Sequence, residues 1–294
     1  MIDTKKVFWI SSYPKSGNTW LRLILCGLFF TEDGNLNDFK LLPKITSFDS
    51  LANFNFTKDI SLDDFNLIVN GKEYSEESVL TYAKYWIEAQ KRIQIQEGSF
   101  GFFKTHNARV KINKNFYTDS STTLGFVYLF RDPRDIAISY SKYMNKDLDE
   151  TIDFLLNGQI MDKKKVDNKM PAILLNWRDH YLSWKKFKDV PSLFLKYEDM
   201  LDNVESEILK LIYFFNKNYN ISIENQNNKI KNIIKSTQFN NLKKKELQYG
   251  FEKDSNSPFF RIGQQKQWKK ILKQNQINKI NKKFNDQLVE LNYL

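Results

Sequence analysis

Cysteine is nearly absent. The chain of 294 residues holds one, Cys26, so no disulfide can form within it and a cysteine-based metal site lacks its ligands. Set in an apolar run, Cys26 reads as a small buried side chain. Histidine is almost as scarce: His106 and His180 are the only two, and no His/Cys/Asp/Glu cluster is spaced to hold a metal. Long apolar stretches are missing as well. The run from Leu21 to Phe30 is too short to span a bilayer. The opening Met1-Ile2-Asp3-Thr4-Lys5-Lys6 leads straight into a strand pattern, so no secretory leader is expected. A cytoplasmic location is the expectation, with no stable membrane insertion. There is no internal repeat and no long low-complexity linker.

What is present is an apolar fraction of 41% and an aromatic fraction of 15%, ample for a packed core. The length fits one large domain or two small ones. Forty-five basic residues against 35 acidic ones give a net charge of +10, which favours anionic partners. Much of that excess follows from a chain heavy in Lys, Asn and Ile throughout.

Short apolar strands alternate with helical patterns. Val7 to Ile10, Phe102 to His106, Leu124 to Phe130 and Ser192 to Tyr197 read as strands. Helices are expected from Asn18 through Phe29, over 76–97, from Pro133 through Tyr143, twice within 151–188, from Leu201 to Phe215, within 224–249 and in the basic stretch 264–291. The broken regions 31–75 and 250–263 read mainly as loops. The alternation implies an α/β fold: a central, mostly parallel sheet with helices on both faces. Ligands of such sheets bind past the C-terminal ends of the strands.

One stretch organises the rest. After the first strand comes Ser12-Tyr13-Pro14-Lys15-Ser16-Gly17-Asn18-Thr19-Trp20, a turn carrying a cation and opening a helix, with Asn18 as its expected cap. Unpaired N–H groups and the helix dipole favour an anion there. Lys15 adds a charge, and Ser16 and Thr19 add hydroxyls. Walker A loops place a first glycine four residues before Gly-Lys-Ser/Thr; here the lysine precedes the glycine and no first glycine exists. The cradle suits phosphate, while an ordinary ATPase or GTPase is disfavoured.

Other strand ends are polar too. Lys104 and His106 follow one, Arg131 with Ser139 another, and Tyr197-Glu198-Asp199 a third, while Arg261 sits in a glycine-containing loop. Four cations in one crevice call for a ligand with more than one phosphate-like group, because like charges held together are destabilising. A cation beside His106 favours the neutral imidazole, the form able to take a proton. His180, inside a helical pattern, reads as a satisfied core histidine.

These residues together resemble the sulfotransferases that use 3′-phosphoadenosine 5′-phosphosulfate (PAPS), most closely the cytosolic type. Tyr13 to Trp20 is similar to that family's 5′-phosphosulfate loop, with Asn18 where threonine is common. Lys104-Thr105-His106 resembles the strand bearing its catalytic histidine and a supporting lysine. Arg131 to Tyr140 resembles its 3′-phosphate segment, and Tyr197-Glu198-Asp199-Met200 its strand-end tyrosine motif. Thr237-Gln238-Phe239 resembles its adenine segment. Arg261-Ile262-Gly263 followed by Trp268 resembles its Arg-Lys-Gly loop, with Ile262 in place of the lysine. The likeness runs from residue 7 to about residue 270, in family order.

The resemblance implies a P-loop-like three-layer fold in a single sulfotransferase domain, 1–294. It implies in-line sulfuryl transfer from PAPS to a hydroxyl or amine, leaving adenosine 3′,5′-bisphosphate (PAP), with no metal required. His106 would be the base, with Lys15 and Lys104 stabilising the transferring group. Lys15, Ser16, Gly17, Asn18 and Thr19 would hold the 5′-phosphate. Trp20 and Phe239 would stack on adenine beside Thr237 and Tyr197. Arg131, Ser139 and Arg261 would hold the 3′-phosphate, and Ile262 and Gly263 would line the same cofactor site, the lysine's phosphate contact being lost or reduced to backbone at Ile262. The partner is a small-molecule acceptor, drawn from alcohols, phenols, amines, lipids or sugars. Its pocket is expected from 31–75, 144–170 and 244–260. A homodimer is left open. Two rivals stand beside this reading. A P-loop kinase using ATP and Mg²⁺ lacks here its Gly-Lys-Ser/Thr ending. A non-enzymatic binder of nucleic acid or anionic membrane would need basic and aromatic residues interleaved on one face, an arrangement not seen from Phe187 to Lys196.

Overall fold

The computed structural model describes residues 6–50, 52–54, 56, 83–95, 101–161, 170, 172–251 and 258–294. Along the chain run β1 (Val7–Ser12), α1 (Asn18–Phe29), β2 (Thr46–Ser47), α2 (Trp86–Arg92), β3 (Gly101–Thr105), β4 (Lys111–Ile112), β5 (Asn115–Phe116), β6 (Thr123–Phe130), α3 (Pro133–Met144), α4 (Leu148–Asn157), β7 (Gln159–Met161), β8 (Ala172–Leu175), α5 (Trp177–Lys185), β9 (Ser192–Lys196), α6 (Tyr197–Asp202), α7 (Val204–Tyr219), α8 (Gln226–Thr237), α9 (Phe239–Tyr249), α10 (Trp268–Ile271) and α11 (Gln274–Glu290). Five strands form one sheet in the order β2-β3-β1-β6-β9. Parallel pairing sets Val7 opposite Gly101 and Ser11 opposite Thr105, with β2 parallel on the far side of β3. This is the expected α/β class, a central parallel sheet flanked by helices. β1 is buried along its whole length, as a strand covered on both faces must be.

The chain divides into two compact units. The first comprises Met1–Tyr13, Thr46–Tyr128 and Gly158–Ser192; the second comprises Pro14–Ile45, Leu129–Asn157 and Leu193–Leu294. The core of the first is aromatic. Trp9, Phe48, Tyr117 and Trp184 are fully buried, with Trp9 edge-on to Phe48 at 5.1 Å between centroids. The Trp9 indole donates to Thr118 and Thr123 hydroxyls at 3.3 and 3.2 Å, so a buried polar tip is satisfied. In the second, α1 packs its apolar face with Leu21, Ile24, Leu25 and Leu28 buried.

Several expectations are corrected. Both helices expected within 151–188 are found, α4 and α5, but among the described residues an antiparallel ribbon of β7 and β8 lies between them. Four apolar residues, Ala172 to Leu175, are too few for periodicity to separate strand from helix. Between them, Lys163 to Lys165 and Pro171 lie outside the described residues. The helix expected over 76–97 is described only from Ala83 to Ile95, where Ile93 turns extended (ψ 122°) and ends α2 ahead of Gly98. Tyr197 starts a helix instead of ending a strand. The helix expected from Leu201 to Phe215 is split: α6 closes at Asp202, and Asn203 caps a new start, its side chain accepting from the Ser206 N–H at 3.1 Å. An asparagine suits that position because its carbonyl meets a donor the helix leaves unpaired.

Candidate active site

In the second unit the turn after Tyr13 is built from left-handed residues. Lys15 has φ 67° and Gly17 φ 98°. Left-handed turns of this kind aim successive N–H groups into one concavity. Only glycine fits at 17, because a Cβ there would lie 2.6 Å from the Tyr197 ring. The expected cap is corrected as well: Gly17 is the N-cap and Asn18 the first helical residue, with no side-chain cap bond. The first bond of α1 runs from the Leu21 N–H to the Gly17 carbonyl at 3.2 Å. The N–H groups of Asn18, Thr19 and Trp20 therefore precede the intrahelical ladder, and no acidic residue occupies the first turn to offset the dipole. The Ser16 hydroxyl is buried without a hydrogen-bond partner among the described residues, as are Trp20 Nε1 and Arg131 Nε. Buried polar atoms left unpaired are costly and call for a partner.

Arg131, at the end of β6, donates from Nη1 to the Lys15 carbonyl and from Nη2 to the Gln264 carbonyl, each at 3.1 Å. Its guanidinium carbon stands 4.4 Å from the centre of the Tyr197 ring, and the Trp20 ring meets that ring edge-on at 6.0 Å. Tyr197 is thus common ground for Gly17, Trp20 and Arg131, and burial pushes its phenol up from the ordinary range. Arg261 donates from Nη2 to the Ser139 carbonyl at 3.2 Å, so two residues expected at one phosphate do meet. Gly263 (φ 64°) lies so close under the Phe239 ring that a Cβ would collide with it. Ile262 is 40% exposed. The Thr237 hydroxyl turns back into α8, donating to the Ile233 carbonyl at 2.8 Å. The Lys15 ammonium lies 4.2 Å from the centre of the Tyr143 ring and 4.6 Å from that of Phe259.

His106 belongs to the first unit, just past β3. Its Nδ1 lies 2.8 Å from the Ser12 carbonyl. A carbonyl only accepts, so Nδ1 carries a proton, and in the neutral ring the lone pair is at Nε2. The backbone is held as firmly as the ring. His180 Nε2 donates to the His106 carbonyl at 3.1 Å, and His180 Nδ1 accepts from the Tyr128 hydroxyl at 2.8 Å. Burial holds His180 neutral, its pKa lowered to about 4. The next residue, Asn107, donates to Asp49 at 2.7 Å, accepts the Ile173 N–H at 2.8 Å on its side chain and takes the Trp184 indole on its carbonyl at 3.0 Å. Lys104, in β3, is partly exposed, and its carbonyl accepts the Phe48 N–H at 3.1 Å.

A family model described as a sulfotransferase domain matches residues 5–292. The chain belongs to the sulfotransferase family. It is an enzyme of sulfuryl transfer. The chain is 26% identical over 273 residues to bovine sulfotransferase 1E1, covering 88% of this chain and 76% of that one. The luciferin sulfotransferase of Photinus pyralis is 24% identical over 235 residues, covering 80% of this chain and 56% of its own length. Among solved structures, mouse sulfotransferase SULT7A1 complexed with PAP superposes with a TM-score of 0.56 at 17% identity, covering 97% of this chain and 85% of that one. Retinol dehydratase in complex with androsterone and the inactive cofactor PAP gives 0.60 at 18%, covering 96% and 80%. At such identities these two superpositions speak for the fold.

Read as a sulfotransferase, the molecule shows groups that sequence motifs passed over. His180 grips the backbone of His106, and no pattern distinguishes a buried gripping histidine from an ordinary core one. Tyr143 and Phe259 flank Lys15. Asp132 caps α3 through the Arg134 N–H at 2.9 Å and pairs with the Arg134 guanidinium at 2.8 Å. Asp135 accepts the N–H groups of Lys266 and Trp268 at 2.7 and 3.0 Å. Burial raises the carboxyl groups of Asp135 and Glu198. In the motif Arg131-Asp132-Pro133-Arg134-Asp135, Pro133 opens α3 and Asp132, Arg134 and Asp135 are engaged with one another, with the helix start and with the loop at Lys266 and Trp268.

Proposed function

We propose that this sulfotransferase takes its sulfuryl group from PAPS and passes it to a hydroxyl or amine of a small organic acceptor, with His106 as the base. The observation that carries the reading is the cradle in the second unit: a turn with two left-handed residues, the unpaired Ser16 hydroxyl and a helix start without acidic residues, on which Arg131, its Nε unpaired, closes by its bond to the Lys15 carbonyl. These residues fit an anion with two separate phosphate groups, and the PAP-bound sulfotransferase structures that share the fold support that choice of nucleotide. When bound, PAPS supplies the activated sulfuryl group and PAP is left.

Ser16, Gly17, Asn18 and Thr19 hold the 5′-phosphate through N–H and hydroxyl donors, and Lys15 offsets charge on the leaving side. Arg131, Ser139 and Arg261 hold the 3′-phosphate, with Ile262 and Gly263 contributing backbone. Trp20, Phe239, Thr237 and Tyr197 form the adenine side; with its hydroxyl proton used within α8, Thr237 offers only an acceptor. Lys104 offsets charge on the transferring group. His106 takes the acceptor's proton at Nε2, and the charge it then carries is stabilised at Nδ1 by the Ser12 carbonyl. We read both units as one domain, because the family match runs through them without a break. We place the enzyme in the cytoplasm, in keeping with the cytosolic type it resembles. Among the described residues no helix is long and apolar enough to cross a membrane.

The test is a screen of phenols, aliphatic alcohols, amines and sugars with PAPS labelled in the sulfuryl group, following label into the acceptor. Transfer in at least one class, stoichiometric with PAP formed, is expected. PAP release without labelled acceptor in any class, or binding of ATP with Mg²⁺ in preference to PAP, would overturn the reading.

A further inference from the structure

The segment after α11 folds back on itself: Asn292 takes a left-handed turn (φ 55°) and the Tyr293 N–H bonds the Leu288 carbonyl at 2.7 Å. From there Tyr293 reaches two buried charged groups. Its hydroxyl donates to one oxygen of Glu198 at 2.8 Å, while the other oxygen of Glu198 accepts the N–H of Asp132 at 3.1 Å. Its carbonyl accepts from Arg134 Nη2 at 2.8 Å, and the same guanidinium grips the Asp132 carboxylate through Nε at 2.9 Å. Lys196, at the end of β9, donates to the Leu291 carbonyl at 2.8 Å, with its ammonium 4.0 Å from the centre of the Tyr293 ring.

The residue so held, Asp132, is bonded covalently to Arg131. The other side of Arg131 is tied into the same set. Arg134 lies 3.9 Å from the centre of the Trp268 ring, and Asp135 anchors the N–H groups of Lys266 and Trp268. That loop begins with Gln264, whose carbonyl takes Arg131 Nη2. Asp132, Arg134, Asp135 and Glu198 are each at least nine-tenths buried. Buried charges that are fully paired form a rigid unit, and a member left half-satisfied costs more than the bond it lost.

We propose that Tyr293 is a positioning residue for Arg131: through Glu198 and Arg134 it clasps Asp132 and so aims the arginine at the 3′-phosphate. The inference rests on the reading of Arg131 as the 3′-phosphate ligand. A site that grips an anion by geometry tolerates displacements of about half an ångström. Loosening Asp132 therefore weakens recognition of that one phosphate while leaving the rest of the nucleotide's contacts in place.

Titration calorimetry of PAP and AMP on the full chain tests it, because AMP lacks only the 3′-phosphate. Tyr293→Phe removes the bond to Glu198 and keeps the ring; it is expected to weaken PAP about fivefold and to change AMP by less than about twofold. Tyr293→Ala also removes the ring from the Lys196 ammonium and is expected to widen that split. Equal losses for both nucleotides in the two variants would mean a merely structural tyrosine and overturn the clasp. Unchanged PAP affinity in Tyr293→Phe, or in Tyr293→Ala if that variant folds, would overturn it as well. If the unmodified chain itself fails to prefer PAP over AMP, the 3′-phosphate reading falls and takes the clasp with it; that control tells the two failures apart.

Discussion

The surroundings of His106 and those of Lys15 are built on opposite principles. Around His106, a run of hydrogen bonds holds both ring and backbone. Nδ1 meets the Ser12 carbonyl, the His106 carbonyl meets His180, His180 meets Tyr128, and Asn107 meets Asp49, Ile173 and Trp184. Around Lys15 the backbone is wound into left-handed turns, and Ser16 Oγ, Trp20 Nε1 and Arg131 Nε are buried with no partner among the described residues. On the proposed reading, the first arrangement orients the base before any ligand arrives, which is how a scaffold avoids reorganising at the moment of reaction. The second stores unmet hydrogen-bonding capacity that an anion can satisfy. On the proposed reading, the residues around His106 are a finished tool and those around Lys15 an unfinished grip.

That contrast separates turnover from binding, and substitutions can break it in either direction. His106→Ala carries the largest effect. Turnover is expected to fall on the order of a hundredfold or more, because general-base catalysis is worth that much, while PAP affinity by calorimetry stays within about twofold. Turnover that survives would remove His106 from the base role. Arg131→Ala comes next and acts on the other side. Charge-assisted hydrogen bonds contribute about 1.5–3 kcal/mol each, so PAP is expected to bind on the order of tenfold to a hundredfold more weakly. AMP should hardly notice. Matching losses for the two nucleotides would mean that Arg131 serves the loop and not the 3′-phosphate.

Much of this is legible in the sequence because the candidate residues sit at strand ends, where a short apolar run stops at a polar residue. Lys15, His106 and Arg131 are candidates on that pattern, and the parallel sheet follows from the alternation of strands and helices. The parts that were hidden have two physical causes. Short antiparallel pieces such as β4 with β5 and β7 with β8 are too brief for a period to show. Long-range polar partners leave no pattern at all: nothing in Trp177-Arg178-Asp179-His180 says that the imidazole will face the carbonyl of a residue 74 positions earlier. The cap of α1 was misassigned for a related reason. Asparagine is the commoner cap, but the ring of Tyr197, remote in sequence, forces glycine into the left-handed position at 17.

The smallest expected effect probes the finished tool from behind. His180 is fully buried, and its pKa is lowered from 6.5 to about 4 mainly by burial. The folded chain therefore keeps this ring neutral while the unfolded chain takes up a proton near pH 6.5. Stability from this group is complete above that pH and is lost as pH falls toward 4. Between pH 7.5 and 5.5 the loss amounts to about 1 kcal/mol. His180→Gln retains an amide donor for the His106 carbonyl but does not titrate. Urea unfolding at the two pH values should show the unmodified chain losing about 1 kcal/mol more than the variant, since the carboxylates common to both cancel in the difference. Equal losses would show that the ring is not held neutral when folded. The pairing with Tyr128 would then have to be reversed, because a protonated Nδ1 can only donate to the tyrosine oxygen.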